Sequence, residues 1–181
     1  LAFKAFAMWR AFPIVREYIP TSTASSIHEA RLAHEELGCL AHTYSPAYTD
    51  ATFDTILQHS SHITFNSLSQ YEHFAQRVAQ YDRHISCGLR INPEYSPVET
   101  DLYNPCVAGS RLGVRKEQLK ELPAGIEGLH FHVLCESRPN HLRLALEAVE
   151  KHFGHLLPQI KWLNMGGGHL MTHKDYDCEE L

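Results

Sequence analysis

The sequence has 181 residues, of which 44% are hydrophobic and 20% are charged, with a formal net charge of −5. This length suits one domain with a sizeable core, and the composition excludes a disordered, collagen-like or coiled-coil chain. No stretch approaches the roughly 18 apolar residues of a membrane span, and no basic cluster indicates nucleic-acid binding. The five cysteines lack CxxC spacing, which favours a reducing, cytoplasmic compartment over disulfides or a zinc ribbon.

The two ends of the sequence resemble interruptions of a longer chain. It opens at Leu1 rather than at methionine, with a strand-like segment already under way, and it closes without a stop signal for a helix or strand. No charged segment followed by an apolar one marks a signal peptide. We therefore expect a piece of a longer protein.

Short apolar or β-branched segments alternate with segments of helical periodicity along the chain. The predicted strands are Leu1–Phe6, Ser22–Ser25, Leu40–Tyr44, His62–Phe65, Ile85–Ile91, Gly128–Leu134 and Ile160–Asn164. The predicted helices are Met8–Tyr18, Ser26–Leu37, Thr52–His59, Ser69–Ala79 and His141–Leu156. The longest connection, 92–122, contains three prolines and little periodicity, which is typical of a functional loop.

This alternation predicts an α/β fold in which helices cover a parallel sheet. Seven βα units in series fit a TIM-type (β/α)8 barrel that is incomplete by one unit. We expect residues 1–181 to form this partial barrel as one domain. An open sheet of seven strands has the same pattern and stays an alternative.

Lys4 lies within the first predicted strand, between apolar neighbours. In a parallel barrel the functional groups lie at the carboxyl ends of the strands and in the loops that follow. Burial on an apolar strand favours the neutral form of a lysine, which can form a Schiff base with a carbonyl compound. From these residues alone, a lysine at a sheet edge that extends its ammonium group into solvent is the simpler explanation.

Gly166, Gly167 and Gly168 follow the last predicted strand. Consecutive glycines let backbone N–H groups approach an anion closely, and the loops after strands seven and eight of barrels often bind phosphate. A flexible turn is the alternative interpretation. Arg90 lies near the end of the fifth predicted strand. An arginine inside a barrel needs an anion or a hydrogen-bonding cofactor, whereas a surface ion pair is the simpler explanation.

His130 and His132 are two residues apart on the sixth predicted strand, so their side chains share one face. Such a pair can ligate zinc, stack on a planar cofactor, or form structural hydrogen bonds. Zinc is disfavoured because metal-binding barrels of this kind place the pair on an early strand, and we predict no metal site.

These groups converge on one predicted barrel mouth. A lysine on strand one, an arginine on strand five, histidines on strand six and a glycine run after strand seven together suit a phosphorylated carbonyl cofactor. The combination predicts pyridoxal 5′-phosphate (PLP).

A set of short segments across nearly the whole chain carries a family resemblance. These segments are Phe3–Trp9, Thr23–Leu32, Tyr44–Tyr48, Gly88–Ser96, Tyr103–Cys106, Ser110–Gly113, Gly128–His132, Leu134–Glu136 and Asn164–His169. The sequence resembles the alanine racemase-like, fold type III PLP enzymes, and within them the carboxynorspermidine/carboxyspermidine decarboxylases. The Ala-Met-Trp and Leu-Cys-Glu motifs distinguish this subfamily from ornithine, arginine and diaminopimelate decarboxylases.

The resemblance implies a role for each matched residue. Lys4 matches the lysine that holds the cofactor as a Schiff base, and His132 matches the histidine stacked on the pyridine ring. Gly166–Gly168 match the phosphate loop, and Arg90 matches an arginine near the cofactor ring. Lys4 and His132 would be catalytic residues of a PLP-dependent carboxy-lyase that forms norspermidine or spermidine in polyamine biosynthesis.

The sequence also departs from the family pattern. Val133 stands where many members have asparagine, and Leu134-Cys135 replaces the Gly-Ser of ornithine-type relatives, so Cys135 is not assigned that serine's phosphate contact. The acidic partner of the pyridine nitrogen, the substrate-binding carboxylates, the eighth strand and the C-terminal β-domain would lie outside residues 1–181. We expect a homodimer for the full-length protein and no turnover by this piece alone.

Three other functions stay open at this point. A diaminopimelate-type decarboxylase shares the class, and a non-catalytic PLP-binding barrel would keep the cofactor site without a β-domain. A metal-dependent hydrolase would instead use His130 and His132.

Overall fold

The computed structural model describes all residues from Leu1 to Leu181, which form two compact units, Leu1–Gly88 and Leu89–Leu181. Strands and helices alternate as in an α/β protein, with six strands in total. No helix combines the length and the apolar character that crossing a bilayer requires.

The first unit contains three consecutive parallel strands separated by helices. Its elements in chain order are a 3-10 turn (Trp9–Ala11), α1 (Phe12–Val15), β1 (Thr23–Ala24), α2 (Ile27–Leu32), a π-helical turn (Ala33–Leu37), β2 (Ala41–Tyr44), α3 (Asp50–His59), β3 (Ser60–Phe65) and α4 (Leu68–Ala79). Strand β1 pairs with β2, and β2 pairs with β3, both in parallel. Parallel pairing of successive strands through a helix is the arrangement that the sequence pattern predicts.

Two helices of this unit begin at serine caps. The Ser26 hydroxyl accepts a hydrogen bond from the Glu29 N–H at 3.2 Å, and the Ser67 hydroxyl accepts one from the Gln70 N–H at 3.1 Å. Each bond satisfies an N–H group that has no partner within its helix. The capping serines thus explain why α2 and α4 begin at Ile27 and Leu68, each within one residue of the predicted start.

An aromatic cluster forms the core beneath α3 and α4. The ring of Phe53 stacks on that of Phe74 with centroids 3.9 Å apart, and Tyr48 meets Phe53, Phe65 and Phe74 edge-on. The Tyr48 hydroxyl donates to the Thr64 carbonyl at 3.0 Å. Burial raises the pKa of Tyr48 well above its ordinary value, so the phenol stays protonated inside this core.

The predicted first strand, Leu1–Phe6, is wrong. Only Ala2 forms a bridge, with Thr23, and the next residues form a turn in which the N–H groups of Ala5 and Phe6 donate to the Ala2 carbonyl. Phe3 is buried within this turn and stacks on Phe12 at 5.2 Å. A single buried ring therefore explains the apolar pattern, and six strands are observed rather than seven.

The second unit has longer irregular connections. Strand β4 (Ser86–Arg90) crosses the boundary between the units. It is followed by a 3-10 turn (Asp101–Tyr103), β5 (Ile126–His130), α5 (Pro139–Phe153), a second 3-10 turn (Leu157–Gln159) and β6 (Trp162–Asn164). Strands β5 and β6 pair in parallel over three residues. The connection after β4 is irregular, as predicted, and β5 ends four residues earlier than the sequence predicts.

Candidate active site

The second unit brings most of the predicted site residues together. His132 connects these residues, because it contacts both Arg90 and the glycine run Gly166–Gly168. Lys4 lies in the first unit. The second unit therefore contains all the predicted site residues except the lysine.

Arg90 is the last residue of β4, and it is buried, with 5% of its surface exposed. Its Nη2 donates to the carbonyl oxygen of His132 at 3.1 Å. A surface ion pair, the simpler explanation from the sequence, is wrong because a buried guanidinium is not at the surface. The charge instead lies beneath the backbone of His132.

His132 is exposed, whereas its neighbours Phe131 and Val133 are buried. The N–H of Gly167 donates to the Nδ1 atom of His132 at 3.2 Å. An accepting Nδ1 carries no proton, so the neutral ring has its proton on Nε2. The structure thus fixes both the tautomer and the position of this imidazole beside the glycine loop.

His130 behaves differently from its partner. It is buried, and its Nδ1 lies 3.0 Å from the carbonyl oxygen of Asn164 in β6. Burial and, secondarily, the positive charge of Arg90 lower the pKa of His130 to about 4. His130 is therefore neutral at pH 7 and donates its Nδ1–H to Asn164, which is the structural role among the three alternatives for the pair.

No three His, Cys, Asp or Glu side chains are grouped as metal ligands. The two histidine rings have their centroids 6.4 Å apart. The Nδ1 atom of His130 is hydrogen-bonded to the Asn164 carbonyl, and the Nδ1 atom of His132 accepts a hydrogen bond from the Gly167 N–H. The geometry of the pair therefore favours two separate hydrogen-bonded positions over shared metal ligation.

The glycine run is closely packed rather than a loose turn. Gly166 and Gly168 have φ values of 73° and 112°, which favour glycine. A Cβ atom on Gly166 would lie 2.5 Å from Nδ1 of His132, and one on Gly168 would collide with the Leu134 carbonyl. A Cβ atom on Gly167 would meet nothing within 4 Å, so the middle of the loop is open to an approaching group.

Lys4 is exposed in the turn that follows Ala2. Of the two interpretations of Lys4, burial on an apolar strand is therefore wrong, and the exposed ammonium group of the other interpretation is observed, in a turn rather than at a sheet edge. The observed position leaves the amine accessible, and its proposed role depends on the resemblance alone.

Sequence reasoning assigned no role to Ser96, which the structure connects to the site. Its hydroxyl donates to the Val133 carbonyl at 2.6 Å, next to His132. In the sequence, Ser96 is marked only by its place shortly after the Asn92-Pro93 pair that follows β4. A contact between residues 37 positions apart has no local pattern that would have revealed it.

Known proteins similar to this chain are decarboxylases. A carboxyaminopropylagmatine decarboxylase of Synechocystis sp. is 51% identical over 180 residues, which are 99% of this chain and 46% of that protein. A carboxynorspermidine/carboxyspermidine decarboxylase of Campylobacter jejuni is 42% identical over 182 residues, which are 100% of this chain and 47% of that protein. The chain matches no protein-family model. It spans about half the length of the curated relatives it matches.

Solved structures of the same class share the fold. The crystal structure of carboxynorspermidine decarboxylase from Campylobacter jejuni, complexed with norspermidine, has a TM-score of 0.86 and 40% identity, covering 100% of this chain and 46% of that one. Diaminopimelate decarboxylase from Helicobacter pylori has a TM-score of 0.72 at 15% identity, covering 97% of this chain and 48% of that one, which shows the fold alone. The resemblance inferred from the sequence is confirmed: over its full length, this chain is similar to about half of a carboxynorspermidine/carboxyspermidine-type decarboxylase.

Proposed function

We propose that this chain is the PLP-binding part of a carboxy-lyase of polyamine biosynthesis. The observation that carries the proposal is the exposed imidazole of His132, held at 3.2 Å by the Gly167 N–H beside a glycine loop. This arrangement occurs in a chain that is similar over its full length to decarboxylases named for carboxylated polyamines.

The side chains and backbone groups present fit PLP. The Gly166 and Gly167 N–H groups donate to Asn164 Oδ1 at 2.9 Å and to His132 Nδ1 at 3.2 Å, which leaves the Gly168 N–H of this loop for a phosphate. A flat, exposed imidazole suits the face of a pyridine ring. At Gly166 and Gly168 a Cβ atom would collide with the backbone or with His132, so the loop can keep its course only with glycine. When bound, PLP supplies an electron sink for the bond that loses carbon dioxide.

Each residue then has a distinct task. Lys4 holds the cofactor covalently through its exposed amine, an assignment supported by the resemblance. His132 covers one face of the pyridine ring, and its Nε2 keeps the proton because Nδ1 accepts from Gly167. Arg90 donates to the His132 carbonyl, and the Gly166–Gly168 loop would hold the phosphate.

The proposed substrates are carboxylated polyamines. Carboxynorspermidine and carboxyspermidine are the substrates named for the Campylobacter relative at 42% identity and for a Herminiimonas arsenicoxydans relative at 33%. Carboxyaminopropylagmatine is a second candidate because the Synechocystis relative named for it is 51% identical. Diaminopimelate has weaker support, since the decarboxylases named for it share 15–17% identity.

The resemblance also supports the wider assignments. We propose that residues 1–181 belong to one partial (β/α)8 barrel domain and that the full-length protein is a cytoplasmic homodimer. Its partner would be a small-molecule substrate rather than nucleic acid or a membrane. A non-catalytic PLP-binding barrel is the alternative in which the cofactor binds and no substrate turns over.

Two measurements on the full-length protein test the proposal. Carbon dioxide release is measured with carboxynorspermidine, carboxyspermidine, carboxyaminopropylagmatine and diaminopimelate. Borohydride reduction followed by mass spectrometry should locate PLP on the peptide that contains Lys4. Lys4→Ala should abolish trapping, whereas Lys120→Ala, at an exposed lysine outside the site, should retain it. Trapping that persists in Lys4→Ala contradicts the assignment, and PLP binding without turnover supports the non-catalytic alternative.

A further inference from the structure

We propose that Ser96 is a positioning residue for His132. Its hydroxyl donates to the carbonyl of Val133, the next residue, and so holds the imidazole in place for the cofactor. This inference rests on the proposed function, in which His132 covers the cofactor ring. It assigns a task to the irregular connection after β4, which the sequence marks as functional without saying how.

The backbone of His132 lies just beyond the end of a strand. Strand β5 ends at His130, and the Phe131 N–H, which donates to the Asn164 carbonyl at 3.0 Å, makes the last bond to β6. Beyond this point, the carbonyls of His132 and Val133 accept hydrogen bonds from side chains. Arg90 donates to the carbonyl of His132 at 3.1 Å, and Ser96 donates to that of Val133 at 2.6 Å. Side chains from β4 and its following loop therefore hold the peptide that carries His132.

Ser96 is itself held in place for this contact. Its Oγ accepts a hydrogen bond from the Val98 N–H at 3.2 Å, so the O–H is directed at Val133. Two residues before Ser96, Glu94 has a φ of 59°, and its N–H donates to the side chain of Asn92 at 2.9 Å. Two side-chain hydrogen bonds within the segment from Asn92 to Val98 thus place the Ser96 hydroxyl against the Val133 carbonyl.

The hydrogen bonds to these two carbonyls limit the movement of the His132 imidazole. The Val133 side chain is buried, so rotation of the 132–133 peptide would disturb the core. With the two carbonyls held, the Gly167 N–H meets Nδ1 of His132 at 3.2 Å. Loss of the Ser96 bond removes one of these constraints and leaves the Val133 carbonyl without that donor, so the ring is less ordered before the cofactor arrives.

The same loop contains a matched control. The hydroxyl of Ser110 donates to the Pro105 carbonyl at 2.6 Å and accepts from the Leu112 N–H at 3.2 Å. These two bonds have the same lengths as those of Ser96, but both stay within the loop. Ser110→Ala therefore removes an equivalent pair of hydrogen bonds without releasing the backbone of His132.

A double-mutant cycle on PLP binding tests the proposal. The dissociation constant of PLP is measured by titrating the cofactor-free, full-length protein that carries Ser96→Ala, with and without His132→Ala. Ser96→Ala should weaken PLP binding about tenfold in the natural background and leave it unchanged when His132 is already alanine. Ser96→Thr, which keeps the hydroxyl, should restore binding to within about twofold, and Ser110→Ala should change it by less than about twofold.

Equal weakening by Ser96→Ala in both backgrounds, or an equal effect of Ser110→Ala, overturns the proposal. His132→Ala by itself tests the proposed function, because unchanged PLP affinity there would remove the stacking role. Hydrogen exchange of the cofactor-free protein then decides the positioning separately. Faster exchange at the Gly167 amide in Ser96→Ala but not in Ser110→Ala supports it, and identical exchange in the two variants overturns it.

Discussion

The two units of the molecule hold the ends of their strands in different ways. In the first unit, β2 pairs with β3 along its whole length, and the aromatic cluster closes the loop that follows. In the second unit, β5 pairs with β6 over three residues, after which the Arg90 and Ser96 side chains donate to the carbonyls of His132 and Val133. Backbone pairing imposes the extended course of a sheet, whereas side-chain donors allow the bends that a cofactor site needs.

The units also differ in what they bury. The first unit buries phenylalanine rings around Tyr48 along with uncharged polar groups such as Ser60, whereas the second buries the charged Arg90 next to its candidate site, together with His130. Buried polar groups cost stability unless they are hydrogen-bonded. We therefore expect the first unit to respond most to lost volume and the second to altered backbone geometry, while a histidine in each unit whose pKa is lowered by burial makes both sensitive to pH.

The largest expected effect is that of Phe53→Ala in the first unit. Phe53 is fully buried and stacks on Phe74 at 3.9 Å, so the cavity should lower the free energy of unfolding by about 4 kcal/mol. Urea denaturation measures this loss, with Phe6→Ala at an exposed ring as the control. A loss below about 1 kcal/mol would show that the cluster does not dominate the stability of this unit.

The second prediction concerns the backbone of the glycine loop. Gly168→Ala should cost about 3 kcal/mol, because its φ of 112° is strained for alanine and the Cβ atom would collide with the Leu134 carbonyl. Gly167→Ala is the matched control, since its Cβ atom would meet nothing within 4 Å. Equal destabilisation of the two variants in urea would contradict the packing described for this loop.

The smallest effect is a dependence of stability on pH. The pKa of His130 is lowered in the folded state from 6.5 to about 4, so below pH 6.5 the unfolded chain binds a proton that the folded chain does not. Stability is therefore fully present above pH 6.5 and falls as the pH drops toward 4, by about 2 kcal/mol between pH 7 and pH 5.

Comparing urea midpoints at these two pH values measures the effect. His42 in the first unit, with its pKa lowered to about 4 by burial and by the charge of His62, adds to the slope. His130→Asn keeps an N–H donor for Asn164 and should remove the share due to the second unit. An unchanged slope in that variant would refute the assignment to His130.

The sequence alone determined the features that depend on neighbouring residues. Helix periodicity located the starts of α2 and α4 to within one residue, and the Ser26 and Ser67 caps that fix these starts span only three positions. The glycine run after the last strand also needed no tertiary information, since consecutive glycines are visible at once. The segments shared with the decarboxylase family predicted the similarity that the relatives confirm.

Only the tertiary structure decided which of several equivalent patterns applies. Phe3 made Leu1–Phe6 look like a strand, although its ring is buried against Phe12 in a turn. His130 and His132 look alike in sequence, yet one is buried against Asn164 and the other is exposed beside Gly167. The Ser96 contact with Val133 joins residues 37 positions apart. Such contacts depend on where the chain returns in space, which local propensity and periodicity do not encode.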